Sequence, residues 1–194
     1  DEETGSVWSP APLPVRGNGG YVTRHGFGYS VFEHTGHGIS SEMTVLVAEH
    51  APVKLIMLTL TNVSGRPRRL SVTGYAEWVM ADLRAKSAMH IVTSAAHVAQ
   101  GCGVLATNHY TSNGSPRTAF FAVTGAHCSV SGDRREFLGR TGSAAAPAAM
   151  KNQRLSDKTG AMLDPCGAVQ SATTLIDGDQ RTFIFALGLG QNAG

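Results

Sequence analysis

The chain has 194 residues, of which 42% are hydrophobic, 15% are charged and 23 are glycine, and its formal net charge is +2. Ordinary apolar content with charge well below the usual ~25% excludes intrinsic disorder, and also a long-helix protein whose exposed faces carry Lys and Glu pairs. Arg66, Arg68 and Arg69 are the one basic cluster, and three clustered arginines are no nucleic-acid footprint.

At ~100–200 residues per domain the length bounds the chain at one domain, or at most two small ones. The segment opens Asp1-Glu2-Glu3 with no initiator Met and no apolar leader, and it closes on Gly188 to Gly194 without a cap or tail. A piece of a larger protein is therefore expected. Gly17-Asn18-Gly19-Gly20 precedes a strand rather than a helix, so it reads as a loop and not as a phosphate cradle. Tyr21 to His25 and Phe27 to His34 read as strands. Ile39 to Glu49 follows, with Ile39, Met43, Val45 and Val47 on one face. Val53 to Val63 is apolar on both faces, as in a central strand covered twice. Its richest run, Val53 to Leu60, is too short for the ~20 residues that span a bilayer.

Asn62-Val63-Ser64-Gly65-Arg66-Pro67 is turn-rich. Beyond it Leu70, Val72, Gly74, Ala76, Trp78 and Met80 alternate with polar residues, which predicts a long strand with one apolar face. The two strands are expected to form a hairpin, with the arginines at a solvated tip. Ala81 to His97 is Ala-rich without a clean 3.6-residue stripe. Gly103 to Asn108, Arg117 to Val123, His127 to Ser131 and Arg181 to Leu187 are strand-like. Their separators are Asn113-Gly114-Ser115-Pro116, Gly132-Asp133 and Asp177-Gly178-Asp179. Ser143 to Arg154, with Pro147, reads as a short helix or coil. Many short strands with turn signals predict an all-β sandwich in one domain.

Chemistry-bearing residues are scattered. Glycoside hydrolysis usually needs two carboxylates flanking the bond. Of the 14 acids, the close pairs Asp133 with Glu136 and Asp177 with Asp179 fall in turns, where acids serve local hydrogen bonds. Glu33, Glu42 and Glu77 lie within strands, and spacing singles out none of them. Among eight histidines only His34 and His37 are close, and Gly36 leaves their faces undefined, so no metal site is assigned. No G-x-S-x-G is present. Cys102, Cys128 and Cys166 form no C-x-x-C and no paired framework, so they read as small buried hydrophobes suited to a reducing compartment. Asn62-Val63-Ser64 and Asn113-Gly114-Ser115 are formal glycosylation sequons. An aromatic and polar set near the start, Trp8, Tyr21, Arg24, His25 and Tyr29, suits a sugar, whose rings stack on aromatic faces and whose hydroxyls meet Arg and His. The same residues also permit a plainer reading, in which Trp8 fills a core and Arg24 pairs with Glu33 or Glu42.

Taken in order, Asp1-x-x-x-Gly5-x-x-Trp8-Ser9-Pro10, Arg24-His25-Gly26-Phe27-Gly28-Tyr29, Asn62-x-Ser64-x-Arg66, Phe137-Leu138-Gly139 and the late strand Phe183 to Gly188 resemble the N-terminal β-domain of family 94 glycoside phosphorylases, such as cellobiose phosphorylase. The resemblance extends to the corresponding part of cyclic β-1,2-glucan synthases, through Val7-Trp8-Ser9-Pro10-Ala11-Pro12-Leu13-Pro14 and Leu163-Asp164-Pro165-Cys166. It covers nearly the whole chain.

The resemblance implies an all-β, large antiparallel supersandwich, galactose mutarotase-like, with at most one or two short helices. It implies that residues 1–194 are a single domain of a multidomain protein. The first strands would precede it, and a helical linker and an (α/α)6 barrel would follow. The barrel would hold the general-acid Asp and the phosphate site, so no catalytic residue, cofactor or metal is assigned to this chain. The implied role is accessory, helping to form the sugar site and the domain interface. Family members contribute substrate contacts from a loop after the Trp78 strand, which adds Arg84, His90 and Thr93 to Trp8, Arg24, His25 and Tyr29 as substrate-binding candidates. The implied partners are a β-glucan oligosaccharide, the barrel of the same full-length chain and a second copy in a homodimer, with no nucleic acid and no membrane contact by this segment. The implied location is cytoplasmic, on the inner-membrane enzyme if the chain comes from a glucan synthase. Two other readings stay open: a self-sufficient carbohydrate-binding module, and a mutarotase-like epimerase using a His and a Glu.

Overall fold

The computed structural model describes residues 1–110 and 117–190. The expected turn at Asn113 to Pro116 and the Asn113 sequon lie outside the described residues. Eleven strands are present among those described: β1 (Tyr21–Gly26), β2 (Tyr29–Gly36), β3 (Ile39–Val47), β4 (Val53–Asn62), β5 (Arg68–Glu77), β6 (Ile91–Val98), β7 (Gly101–Asn108), β8 (Thr118–Thr124), β9 (Cys128–Asp133), β10 (Pro165–Leu175) and β11 (Gln180–Gly190). Two short helices, α1 (Arg84–Ser87) and α2 (Arg134–Leu138), and two 3-10 turns, at Ala88–His90 and Ala148–Lys151, complete the chain. The all-β expectation holds.

Every strand pair is antiparallel. An eight-stranded sheet runs β1-β2-β3-β4-β11-β8-β7-β6, and a three-stranded sheet runs β5-β10-β9. The last two strands are the middle strands. β11 joins β4 to β8, and β10 joins β5 to β9.

The core lies between the sheets. Leu70 and Val72 of β5, Val130 of β9 and Val169 of β10 cluster with Leu58, Leu60, Val104, Phe121, Val123, Phe183 and Phe185 from the larger sheet. Gly74 makes room there, because a Cβ on it would sit 2.6 Å from Phe121 and 2.8 Å from Phe185. A second cluster covers the other face of the smaller sheet. It is built from Phe137, Leu138, Ala149, Leu155, Cys166 and Ala168, with the Tyr75 ring stacked on Phe137 at 4.6 Å. β10 is thus covered twice, and nine of its eleven residues are buried.

Three expectations are corrected. β4 and β5 are not a hairpin, since they belong to different sheets and the Asn62–Arg68 segment crosses between them. Arg68 is not at a solvated tip. It is 4% exposed, donates to the His37 carbonyl at 2.6 Å and pairs with the buried Asp1 carboxylate, while Arg66 and Arg69 remain exposed beside Glu3. The cysteines are not all isolated. Cys102 and Cys128 are joined sulfur to sulfur across the two sheets, and only Cys166 is a free, buried thiol. The stretch Ala81 to His97 resolves into α1, a 3-10 turn and β6.

Asn62 holds the crossing. Its side chain is fully buried. Nδ2 donates to the carbonyls of Arg66 at 2.7 Å and Leu175 at 2.9 Å, and Oδ1 accepts from Ser64 N at 3.0 Å and Ser64 Oγ at 2.7 Å. Its backbone bonds Asp179 and Gly178 on the β10–β11 connection. This amide has no capacity left for a glycan, so the Asn62 sequon is structural. Replacing Asn62 by Ala strands the buried Leu175 carbonyl, removes a partner from the Arg66 carbonyl and from Ser64 N, and leaves a cavity, at ~1–3 kcal/mol for a buried group left unsatisfied. Urea denaturation of Asn62→Ala is expected to show a loss of roughly 2–4 kcal/mol, and a loss within experimental error would refute this account of the crossing.

Candidate functional site

A cleft of about 860 Å³ opens where β5 runs out of the smaller sheet. One wall is the run Ala76 to Asp82. The other is built from Asn108 at the end of β7, Ala119 of β8, and Leu187 and Leu189 of β11, with Tyr110 and Arg117 also lining it. Asn108 ties the walls together: Nδ2 donates to the Met80 carbonyl at 3.1 Å, and Oδ1 accepts from Tyr110 N at 2.9 Å. Trp78 forms part of the wall, is 4% exposed, and packs against Gly167, where a Cβ would lie 2.6 Å from its ring. Its indole N–H is buried without a partner among the described residues.

Behind the wall two acids and two arginines close a ring. Arg134 Nε donates to Glu77 at 2.8 Å and Arg84 Nε lies 3.5 Å from the same carboxylate. Asp164 answers both arginines, bonded to Arg84 and 3.5 Å from Arg134. Tyr75 adds a hydroxyl to Glu77 at 2.8 Å. Burial alone would raise the Glu77 pKa. The hydrogen bonds from Arg134 and Tyr75 and the charges of Arg134 and Arg84 outweigh that, and hold it below the usual carboxylate range. Glu77 is therefore an ionised strut. A general acid of glycoside cleavage needs the opposite shift.

The seven residues read from sequence fall in four places. Arg84 and His90 reach the cleft at second hand, Arg84 through Glu77, and His90 through a ring stack on Tyr110 at 4.8 Å. Thr93 lies in β6, is 2% exposed, and spends its hydroxyl on Gly160, donating to O at 3.3 Å and accepting from N at 3.1 Å. Arg24, His25 and Tyr29 lie together on the β1–β2 edge of the larger sheet. There Arg24 chelates Glu33, His25 Nδ1 is 2.9 Å from Ser30 Oγ, and Tyr29 is 49% exposed. Trp8 is half-buried against the core with its ring on His37 at 4.7 Å. His34 stacks instead on Tyr21 at 4.0 Å, so the two close histidines diverge. Sequence reasoning missed Asn108, Tyr110 and Arg117, which no motif marks. The alternation from Leu70 to Met80 and the family's loop after the Trp78 strand pointed toward this end of the sandwich.

The match of known families decides what this architecture is. The model of the glycosyl hydrolase 94 supersandwich domain matches residues 1–194. The chain belongs to that family. The supersandwich is 36% identical over 194 residues to the cyclic β-(1,2)-glucan synthase NdvB of Rhizobium meliloti (strain 1021), covering 99% of this chain and 7% of that protein. It is 30% identical over 200 residues to the N,N'-diacetylchitobiose phosphorylase of Vibrio furnissii, covering all of this chain and 25% of the relative. It is 28% identical over 187 residues to the solabiose phosphorylase of Paenibacillus borealis, covering 94% and 24%. The chain therefore spans a quarter or less of the length of these relatives. Among the described residues no helix of the supersandwich is long and apolar enough to cross a membrane.

The Glu77 strut carries a pH signature. Its folded pKa is depressed, so its contribution to stability is complete above the free Glu value near 4.3 and is lost as pH falls below that value through the folded pKa. Glu77→Gln is expected to lower the urea midpoint at neutral pH and to flatten the acid limb, so that variant and parent converge on acidification. Parallel curves down to the acid end would show that Glu77 is not held ionised by Arg84 and Arg134.

Proposed function

We propose that this supersandwich is the accessory domain of a longer cyclic β-1,2-glucan synthase or related glycoside phosphorylase. It would help to form the sugar site and the domain interface without catalysing a reaction alone. One observation carries the reading: the whole chain matches the supersandwich domain, yet it occupies 7% and 25% of relatives named for glucan synthesis and for phosphorolysis. Catalysis in the full protein would then belong to the (α/α)6 barrel, with the enzyme on the cytoplasmic side of the inner membrane.

The cleft beside Trp78 is the surface best suited to that role. It combines apolar Trp78, Met80, Leu187 and Leu189 with the polar Asp82, Asn108 and Arg117 and a second aromatic ring, Tyr110. A β-glucan oligosaccharide presents the complementary mixture of apolar ring faces and hydroxyls. Trp78 Nε1 and Arg84 Nη1 are buried donors without partners among the described residues. Such donors cost ~1–3 kcal/mol each while unmet, and an adjoining domain or ligand that supplied acceptors would recover that cost.

The 194-residue chain mixed with β-1,2-glucan oligosaccharide and inorganic phosphate is expected to release no sugar phosphate, and release would overturn the accessory reading. Calorimetric titration with the same oligosaccharide distinguishes the runner-up, because millimolar or tighter binding by the chain alone marks a self-sufficient carbohydrate-binding module. In the full-length enzyme, Tyr110→Ala is expected to raise KM for glucan several-fold with kcat little changed, the pattern of lost uniform binding.

A further inference from the structure

The geometry points to a binding site for a zinc-class cation at His97, Cys102 and Cys128, available when the chain is reduced. The spacing of these residues gives no sign of it, since it matches no metal-ligand pattern in sequence. The fold assembles it. His97 on β6 stands directly opposite Cys102 on β7, so the two side chains share a face. Cys128 opens β9 on the facing sheet, with 6.0 Å between the Cα atoms of the two cysteines. One donor atom from each of the three residues falls within 4.8 Å of the others.

Two thiolates and an imidazole select a soft or borderline cation over Mg²⁺ or Ca²⁺, which prefer oxygen. A tetrahedral zinc ion with bonds of ~2.3 Å to sulfur holds two sulfurs roughly 3.8 Å apart, which a Cα separation of this size accommodates. Exposure is graded across the set: Cys102 is buried, Cys128 is half-buried, and the His97 side chain is 49% exposed. The ion therefore has an anchor inside and a way in from solvent. Asp157 stands beside the imidazole, Oδ1 lying 3.9 Å from His97 Nε2. It is held there by Val130 N at 2.9 Å and Arg154 at 2.7 Å, so a fixed carboxylate stands near the imidazole, beyond hydrogen-bond reach in this state.

The sulfurs have two mutually exclusive states. In one they are bonded to each other. A dithiol or phosphine reductant delivers two electrons, and with two protons the bond opens to two thiols. Binding of the cation then releases both thiol protons, while the neutral imidazole gives its lone pair. Either state ties the smaller sheet to the larger one at the β6–β7–β9 corner, so the fold keeps this brace in both redox conditions.

The test uses the 194-residue chain reduced with a phosphine and titrated with Co²⁺ as a spectroscopic stand-in for Zn²⁺. One ion per chain is expected, with thiolate charge-transfer bands, tetrahedral visible bands, about two protons released, and displacement by Zn²⁺. His97 is exposed, so His97→Gln leaves the core untouched, and it is expected to weaken binding by more than about tenfold. Cys128→Ser is expected to remove most of the charge-transfer intensity. An aqueous-type cobalt spectrum in the reduced parent would overturn the proposal, as would equal affinity in parent and both variants.

Discussion

The fold depends on one buried amide. The chain passes four times between the two sheets, and two of those crossings, β4 to β5 and β10 to β11, lie side by side, where buried backbone groups need partners. Asn62 supplies them at the point where the crossings meet. Its side chain closes the exit from β4 and reaches the end of β10, and its own N–H and C=O bond the loop leading into β11. Arg68 and Asp1 extend this clamp outward as a buried ion pair. Four strands, β4, β5, β10 and β11, owe their relative placement to this corner. The packing of the Phe121–Phe185 pair over Gly74 can form only once the two sheets are so aligned.

Charge is scarce in this chain, and the structure shows where it goes. Many of the acids serve internal fastening rather than solvation. Glu77 and Asp164 are locked to Arg84 and Arg134, Asp133 caps α2 and takes Lys158 at 2.7 Å, and Asp177 and Asp179 bond the backbone at the crossing. Those last pairs were readable as turn acids because short side chains at turns favour local bonds. The Glu77 ring was not readable, because its four members are spread over residues 77–164 and meet only through tertiary structure. A cleft beside such a ring has a rigid, electrically balanced wall, which suits recognition of a neutral ligand better than proton transfer.

The sequence made some elements plain and concealed others for physical reasons. β5 was visible because Leu70 to Trp78 alternates, and alternation is the mark of a strand with one face in the core. β10 was invisible because it is covered on both faces in tight quarters. Its residues are small, Cys166-Gly167-Ala168 and Ser171-Ala172, and they carry neither alternation nor bulk. The β4–β5 hairpin failed because periodicity reports which face is buried and not which sheet a strand joins. In the candidate site, Trp78 stood at the end of a legible pattern, and Arg84 and His90 came from the family's loop. Asn108, Tyr110 and Arg117 are ordinary residues until the ends of β7 and β8 bring them beside the β5 run. The meeting of His97, Cys102 and Cys128 is hidden for the same reason, since strand register and sheet stacking create it.

The placement of β10 and β11 has a consequence for the growing chain. Both sheets are joined in the middle by β10 and β11, which follow the other described strands in the chain. Until residues 165–190 leave the ribosome, β1–β4 and β6–β8 are two separate half-sheets with open inner edges, and β5 and β9 have no common neighbour. The first 164 residues lack the strands that join β4 to β8 and β5 to β9. Each sheet of this domain is therefore joined up only when its middle strand, β10 or β11, has been made.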